Sequence, residues 1–318
     1  MRAIRTEDLQ KVFGKVHALD GLNLDVEQGS IFGFLGPNGA GKSTTIRILT
    51  GLAHATVGQA WVNDFEVGNG SNRTHKQIAN IIGYLPEEPA LYPYMTPSEL
   101  LDYIGRLFEY SAVERRQRSQ ELLKLTGLEG VSNRRIGGFS RGMRQRMGLA
   151  QALVNRPPIL FLDEPVSALD PIGRREILDM INSLRGKCTV LMSTHILADV
   201  ERVCDTVGII NHGRMVVTAR QDELLRRYTT PVIELECESG QEKDFSIWCK
   251  NLQLRGVMQA VKVEGPVARF VVNDIASVRA TLLKQVGQFG LGIVRFQVVT
   301  PTLEDVFLRL VGSDGRPQ

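Results

Sequence analysis

The chain has 318 residues and a formal net charge of +3 at pH 7, with 43% hydrophobic and 23% charged residues. This composition is typical of a globular protein and excludes the disordered and fibrous classes. The length favours about two domains, and so small a net charge gives no reason to expect nucleic acid as a partner.

The sequence shows neither a targeting segment nor a cysteine motif. No run reaches the roughly 18 apolar residues that a membrane-spanning helix needs, and the N-terminus lacks the apolar core of a signal peptide. We therefore expect a cytosolic chain unless a partner holds it elsewhere. Free, buried thiols are expected for the four scattered cysteines, which are Cys188, Cys204, Cys237 and Cys249.

Strand and helix patterns alternate over the first two-thirds of the chain, which predicts an α/β domain. In chain order the predicted elements are strand Ile31–Leu35, helix Lys42–Leu49, strand Ile81–Leu85, helices Ser98–Glu109, Ala112–Leu125 and Arg141–Val154, strand Ile159–Leu162, a helix from Pro171, strand Thr189–Ser193, and strands Val207–Ile210 and Arg214–Val217. No strand pattern interrupts residues 97–154, so we expect an inserted helical subdomain at about 88–155.

The pattern changes near Arg226–Pro231, and the remaining chain predicts a smaller α+β domain. Its predicted elements are strand Val232–Cys237, helix Asp244–Leu252, strands Val257–Val263 and Ala268–Val272, helix Ile275–Gln288, strand Gly292–Val299 and a short helix near Leu303–Leu310. The order β-α-β-β-α-β, before the last helix, is that of a ferredoxin-like unit. We expect a first domain at 1–228 and an accessory domain at 229–318.

A glycine-rich segment lies between the first predicted strand and helix and fits the pattern G-x-x-x-x-G-K-[ST] of a phosphate-binding loop. It consists of Gly36, Pro37, Asn38, Gly39, Ala40, Gly41, Lys42, Ser43 and Thr44. Gly39 and Gly41 let backbone N–H groups bend around a phosphate. Lys42 is expected to reach the β- and γ-phosphates, and the Ser43 hydroxyl is expected to bind Mg²⁺.

Polar residues follow two further apolar strands. Asp163 and Glu164 end the strand at 159–162, and His195 follows the strand at 189–193. Because parallel strands direct their carboxyl ends to one edge of a sheet, these residues are expected to face the phosphate loop. Asp163 suits Mg²⁺, Glu164 suits a general base for water, and His195 suits a hydrogen bond to the γ-phosphate or its attacking water.

With these motifs in this order, the chain resembles the ATP-binding subunits of ABC transporters over about Ala3–Val217. Phe139–Met143 occupies the place of the family signature L-S-G-G-Q, Ser167–Asp170 matches the D-loop, and Phe13 falls where the family places an aromatic residue on adenine. The resemblance implies a P-loop NTPase of ABC type, with a mixed sheet core and a helical subdomain. It also implies that ATP binds between two copies, because Ser140 and Gly142 of one subunit contact the γ-phosphate held by the other.

The chain departs from the family pattern at four positions. Arg141 and Met143 replace glycine and glutamine of the signature, and Phe13 replaces the commoner tyrosine. At the Q-loop position stands Glu87, whose carboxylate can still bind Mg²⁺ or water but adds negative charge. We therefore expect Ser43, Asp163 and Glu87 as the metal ligands, with an altered rate or coupling.

These departures resemble the drug-resistance branch of type-2 exporters, whose members often carry a C-terminal domain ending like Pro301–Leu308. That likeness implies a peripheral ATPase on the cytoplasmic face of the membrane, working with a separate permease subunit of about six helices and a second ATPase subunit, more often a homodimer partner. The family receives a coupling helix beside the Q-loop, here about Glu87–Tyr94. Its apolar side chains suit either such a groove or ordinary core packing, and they are Leu91, Tyr92, Tyr94 and Met95.

Two other classes of function remain alternatives to export. One is a soluble ABC ATPase that acts on ribosomes or DNA, although such members usually carry two ATPase modules, coiled coils or zinc cysteines. The other is a module that uses ATP closure as a regulatory switch. The arginines of the helical subdomain either attract an anionic membrane or lie on solvated helix faces with acidic partners such as Glu114 and Glu121.

Overall fold

A computed structural model describes residues 1–68, 72–167, 169–228, 232–254, 260–272 and 275–299, together with residues 303 and 307. The chain divides into two compact units between Gln221 and Asp222. The domain bounds expected from the sequence lie seven residues further on, after rather than before a helix that spans Gln221–Tyr228.

The first unit contains strands and helices in the order β1 (Arg2–Phe13), β2 (Val16–Glu27), β3 (Ile31–Leu35), α1 (Lys42–Leu49), β4 (Val57–Val62), β5 (Phe65–Glu66), α2 (Asn72–Ile81), β6 (Ile82–Leu85), α3 (Pro97–Leu107), α4 (Ala112–Leu125), α5 (Arg141–Ala152), β7 (Ile159–Asp163), α6 (Pro171–Asn182), β8 (Thr189–Thr194), α7 (Leu197–Val203), β9 (Thr206–Asn211) and β10 (Arg214–Arg220). Two short 3₁₀ helices, Glu129–Val131 and Ile136–Gly138, precede α5.

The first unit contains a six-stranded mixed sheet. Its strand order is β10-β9-β3-β8-β7-β6, and all neighbours are parallel except β9 and β10. Every residue of β3, β7 and β8 is buried, as expected for central parallel strands covered on both faces. Leu35 pairs with Thr194, and Asp163 pairs with Ser193. The carboxyl ends of three strands are thereby aligned at one edge.

A second, antiparallel sheet was not predicted from the sequence. Its order is β2-β1-β4-β5, and β1 and β2 pair along a bulged hairpin. The apolar side chains of the hairpin, including Leu9 and Leu22, share one core with Phe34 and Ile46 of the α/β layer. The bulges interrupt the simple alternation of buried and exposed positions, which is the signal that sequence patterns use.

The helices between Pro97 and Ala152 contain no intervening strand, as predicted. Capping boxes start α3 at Thr96–Glu99 and α4 at Ser111–Glu114. Glu121 forms ion pairs with Arg118 and Arg156, at 3.0 and 3.3 Å. Glu114 accepts a hydrogen bond from the backbone N–H of Ser111. Hydrogen bonds from the side chain and the backbone of Ser111, together with the charge of Arg156, lower the pKa of the Glu114 carboxyl.

The second unit begins at Asp222, the second residue of α8 (Gln221–Tyr228). After α8 it contains β11 (Val232–Cys237), α9 (Glu242–Leu254), β12 (Ala260–Glu264), β13 (Val267–Val271), α10 (Ile275–Phe289) and β14 (Ile293–Val299). The antiparallel sheet has the order β12-β13-β11-β14, which confirms the ferredoxin-like prediction. One sheet face packs on an apolar cluster that includes Phe245, Trp248 and Phe270. Apart from residues 303 and 307, the predicted helix near Leu303–Leu310 and the ending Pro301–Leu308 lie outside the described residues.

All four cysteines are free and buried, as predicted. Desolvation raises the pKa of Cys188 to about 11 and that of Cys249 to about 12. These thiols are therefore poor nucleophiles in the folded chain. Within the described ranges, no helix combines the length and the apolarity required to cross a membrane.

Candidate active site

The loop 36–44 connects β3 to α1, and its backbone requires glycine at two positions. Gly41 has a φ of +110°, and a Cβ there would lie 2.6 Å from the carbonyl oxygen of Ala18. A Cβ on Gly36 would lie 2.4 Å from the carbonyl oxygen of Ile210. Both distances are shorter than a Cβ contact allows. The neighbouring strands therefore lie too close to the loop backbone for a residue with a side chain at either position.

The loop wraps around its own lysine. Lys42 is 5% exposed, and its Nζ donates hydrogen bonds to the carbonyl oxygens of Gly36 and Pro37 at 2.7 and 3.2 Å. Within the described chain, no side chain caps the N-terminus of α1. The first N–H groups of this helix and the lysine ammonium therefore form a positively polarised cradle for an anion.

Asp163 ends β7 beside this cradle. Its Oδ1 accepts hydrogen bonds from Ser43 Oγ at 3.0 Å and from Ser193 Oγ at 2.7 Å. Burial and the negative charge of Asp163 raise the pKa of Tyr84 on β6, and the guanidinium of Arg47 partly opposes this. A carboxylate and a hydroxyl in direct contact are hard oxygen donors, which fit Mg²⁺.

Glu164 lies one residue further along, with a positive φ of 47°. Its backbone N–H donates to Ser193, at 3.2 Å from the carbonyl oxygen and 3.0 Å from Oγ. Its side chain is 9% exposed and lies between a lysine and a histidine. Oε1 is 3.4 Å from Lys42 Nζ, and Oε2 is 3.0 Å from His195 Nδ1. Left-handed backbone at a non-glycine residue is strained and is concentrated at functional sites.

The predicted residues Lys42, Ser43, Asp163, Glu164 and His195 are therefore brought together at the edge of the mixed sheet. The arrangement combines an anion cradle, an oxygen-donor pair for a hard cation and a buried carboxylate backed by an imidazole. These are the components that hydrolysis of a phosphoanhydride requires.

Comparison with known proteins also points to a protein that binds and hydrolyses ATP. Residues 19–167 match the family model "ABC transporter", and residues 221–311 match "ATP-binding protein DrrA1-3-like, C-terminal domain". The chain is 38% identical over 306 residues to the uncharacterized ABC transporter ATP-binding protein YxlF of Bacillus subtilis, covering 96% of this chain and 98% of that protein. The chain belongs to the ABC transporter ATP-binding proteins.

Two further similarities describe relatives of this ABC ATPase. The bacitracin transport ATP-binding protein BcrA of Bacillus licheniformis is 32% identical over 318 residues, covering 98% of this chain and 97% of that protein. A solved dimeric ATP-binding cassette, in a post-hydrolysis state bound to ADP and Pi, matches with a TM-score of 0.62 at 27% identity. It covers 68% of this chain and 98% of that chain.

The segment Phe139–Met143, which is predicted to be the signature, leads into α5 of this ABC ATPase. Ser140 is the N-cap residue, and its side chain accepts a hydrogen bond from the backbone N–H of Met143 at 3.2 Å. A Cβ on Gly142 would lie 3.7 Å from Leu169 of the D-loop, whose Ala168 is outside the described residues. No hydrogen bond among the described residues joins Ser140 to loop 36–44.

The remaining predicted residues, Phe13 and Glu87, lie on other elements. Phe13 ends β1 with 54% of its surface exposed, and Lys11 Nζ lies 4.8 Å from the ring centroid. Glu87 lines a cleft with Arg141, Arg144 and other residues of α5 and the Q-loop. No hydrogen bond or ion pair among the described residues joins Glu87 to Lys42 or Ser43 of the loop.

Ser193 was not singled out in the sequence, although it stands two residues before His195. It is fully buried, and its hydroxyl donates to Asp163 while accepting from the backbone N–H of Glu164. A small hydroxyl at the carboxyl end of a central strand was the available signal, but only the pairing of β7 with β8 shows which carboxylates it contacts.

We expect Ser193→Ala to lower ATP turnover about tenfold and the free energy of unfolding by about 1–2 kcal/mol, because the Glu164 N–H and Asp163 Oδ1 each lose one of their two buried hydrogen bonds. Steady-state phosphate release and thermal unfolding measure the two effects. Ser183→Ala is the matched control, because that exposed hydroxyl only donates to the carbonyl of Met180 at the end of α6. Equal behaviour of the two variants would contradict a role for Ser193.

Proposed function

We propose that the chain binds ATP with Mg²⁺, hydrolyses it, and thereby powers export through a separate membrane subunit. The observation that carries the hydrolytic role is the placement of Glu164 between Lys42 and His195, at 3.4 and 3.0 Å. A buried carboxylate beside a phosphate cradle is positioned to act as a general base.

In this proposal the loop Gly36–Thr44 binds the phosphates, and Phe13 stacks on adenine with the ring face that Lys11 leaves open. Lys42 exchanges its contacts with the loop carbonyls for the β- and γ-phosphates. Ser43, Asp163 and Glu87 hold Mg²⁺, which when bound neutralises developing charge on the phosphate oxygens.

The proposed reaction is an in-line attack by water on the γ-phosphorus. A bond forms from the water oxygen to phosphorus, and the bond to the β–γ bridging oxygen breaks with its electrons leaving on ADP. Glu164 accepts the proton released by the water. His195 contacts Glu164 through Nδ1, and we assign its other ring nitrogen, Nε2, to the γ-phosphate or the attacking water.

We infer that a second subunit completes the site. The N-terminus of α5 has Ser140 as its cap and Gly142 without a side chain, which leaves N–H groups accessible to an anion. Because Ser140 is not joined to the loop of its own chain, we assign its phosphate contact to a partner copy, in a homodimer. The dimeric cassette among the solved relatives supports this arrangement.

The proposed membrane partner is a permease of about six helices, which places the chain on the cytoplasmic face of the membrane. The relative named for bacitracin transport and the DrrA-like C-terminal match support export of drug-like cargo rather than action on nucleic acid.

Tyr92 and Tyr94 are 43% and 62% exposed, and Tyr92 packs edge-on against Tyr103 at 6.0 Å. Such a cluster suits a docking groove for a coupling helix. Within this proposal, 1–228 is the ATPase domain and 229–318 an accessory domain.

Affinity purification of the full chain from detergent-solubilised membranes tests the export proposal. We expect a polytopic membrane protein to copurify and ATP hydrolysis to remain with the complex. Tyr94→Ser is expected to weaken the copurification without changing ATP binding, because it alters the exposed cluster alone. Stable association with ribosomes, and no membrane partner, would contradict the proposal.

A further inference from the structure

Two helices leave the active site side by side, and a buried ion pair joins them near their starts. Helix α6 begins directly after the D-loop, and α7 begins two residues after His195. The Nε of Arg174 on α6 donates to Oδ1 of Asp199 on α7 at 2.6 Å. The Asp199 side chain is 1% exposed, and that of Arg174 is 30% exposed.

Stability alone does not explain this pair. The second carboxylate oxygen of Asp199, Oδ2, is buried and has no hydrogen-bond partner in the described part of the chain. Desolvation raises the pKa of Asp199, and Arg174 only partly opposes that effect. Replacing a buried ion pair with well-packed apolar side chains is often neutral or stabilising, so holding the two helices together does not by itself require charges at this contact.

Two of the titratable groups near Asp199 belong to the active site. The charge of Glu164, from the loop after β7, raises the pKa of Asp199, and that of His195, from the loop after β8, lowers it. Besides Arg174, a further titratable neighbour is the buried thiol of Cys204. Asp199 is four residues from His195 and lies in the first turn of α7. Between them, the backbone N–H of Ile196 is held by Thr194 Oγ1 at 3.0 Å. The backbone between Asp199 and His195 is therefore short, and this hydrogen bond constrains it next to the imidazole.

We propose that Asp199, held by Arg174, is a positioning residue for His195. The pair fixes the start of α7 against the start of α6, so that the His195 ring stays within hydrogen-bond distance of Glu164. The inference rests on the proposed function, because it requires His195 to take part in hydrolysis.

The chain supplies a matched control between the same two helices. Arg202 of α7 donates to Asp179 of α6 at 2.9 Å, with side chains 39% and 57% exposed. Exposed pairs of this kind contribute little. Asp179→Asn is therefore expected to leave both kcat and KM unchanged, although it removes an ion pair from the same helix–helix contact.

In the full-length protein, Asp199→Asn is expected to lower kcat about tenfold to 100-fold, the range for a misplaced catalytic group, with KM for ATP within about twofold of wild type. The KM is retained because the phosphate loop is untouched. Circular dichroism and thermal unfolding confirm that the variant is folded at the assay temperature. Should Asp199→Asn not fold, Arg174→Gln breaks the pair from its more exposed side; failure of both variants to fold would overturn the inference.

A double-mutant cycle with His195→Ala separates positioning from a structural role. If Asp199 acts through His195, then Asp199→Asn changes the residual single-turnover rate of His195→Ala by less than about twofold. The inference is overturned if Asp199→Asn lowers that residual rate by the same factor as in wild type, or leaves the wild-type kcat unchanged. The proposed function fails separately, if the wild-type chain hydrolyses no ATP or if His195→Ala is fully active.

Discussion

Glu164→Gln is expected to lower ATP turnover at least about 100-fold, the contribution typical of a general base, while ATP binding is retained. Glutamine keeps the size of the side chain and its hydrogen-bonding reach, but the amide cannot accept the proton of the attacking water. Lys42 loses its ion pair with Glu164 but keeps its hydrogen bonds to the carbonyl oxygens of Gly36 and Pro37, and the Asp163–Ser43 contact at 3.0 Å is unaffected. Phosphate release measures turnover, and equilibrium binding of a fluorescent ATP analogue measures affinity.

The same variant is expected to accumulate as an ATP-bound dimer, because closure on ATP continues while opening after hydrolysis does not. Size-exclusion chromatography with and without ATP detects the dimer. Glu129→Gln is the matched control, since Glu129 is exposed and lies at the start of a 3₁₀ helix away from the mixed sheet. Hydrolysis at the wild-type rate by Glu164→Gln would remove Glu164 from the role of general base.

Lys42→Ala is expected to weaken ATP binding about 100-fold, which corresponds to about 2.7 kcal/mol, and to abolish detectable turnover. The substitution removes a buried ammonium that donates to Gly36 and Pro37 and lies 3.4 Å from Glu164. It also leaves the Glu164 carboxylate buried without its cation, so a lower unfolding temperature is expected as well. Isothermal titration calorimetry and thermal unfolding measure these effects.

Lys42→Arg separates charge from geometry in this prediction. The guanidinium keeps the positive charge beside Glu164, and we expect it to restore the unfolding temperature more fully than ATP binding, because a planar guanidinium does not present its N–H groups as a compact ammonium does. Lys124→Ala is the surface control, at the exposed end of α4. Unchanged affinity in Lys42→Ala would contradict the assignment of the phosphate site to this loop.

Several elements were predictable because their signals are local. The strands β3, β7 and β8 are short, uniformly apolar runs, and the structure buries them completely at the centre of the sheet. The helix predicted to begin at Arg141 does begin there, and the residue before it, Ser140, is of a type that caps helices and caps α5.

Other features depend on pairing between distant segments, and these were missed. The hairpin of β1 and β2 contains bulges, and β1 also pairs with β4, as in the match of Ile4 with Val62. Neither relationship leaves a periodic trace in the sequence. Similarly, the sequence placed Glu114 among several arginines, but only the structure shows that its carboxylate also accepts a hydrogen bond from the backbone at the start of α4.

By itself, the sequence determined which chemical groups the site contains. They are a glycine-rich loop with a lysine, two carboxylates and a histidine, and each of these three sets follows a recognisable strand. Only the tertiary structure decided how these residues act on one another. Ser193 reaches Asp163 and Glu164 because β8 pairs with β7, and Asp199 reaches Arg174 because α7 packs beside α6. The physical reason is that strand and helix propensities depend on near neighbours, whereas buried hydrogen bonds and ion pairs form between segments that only the folded core brings within about 3 Å of each other.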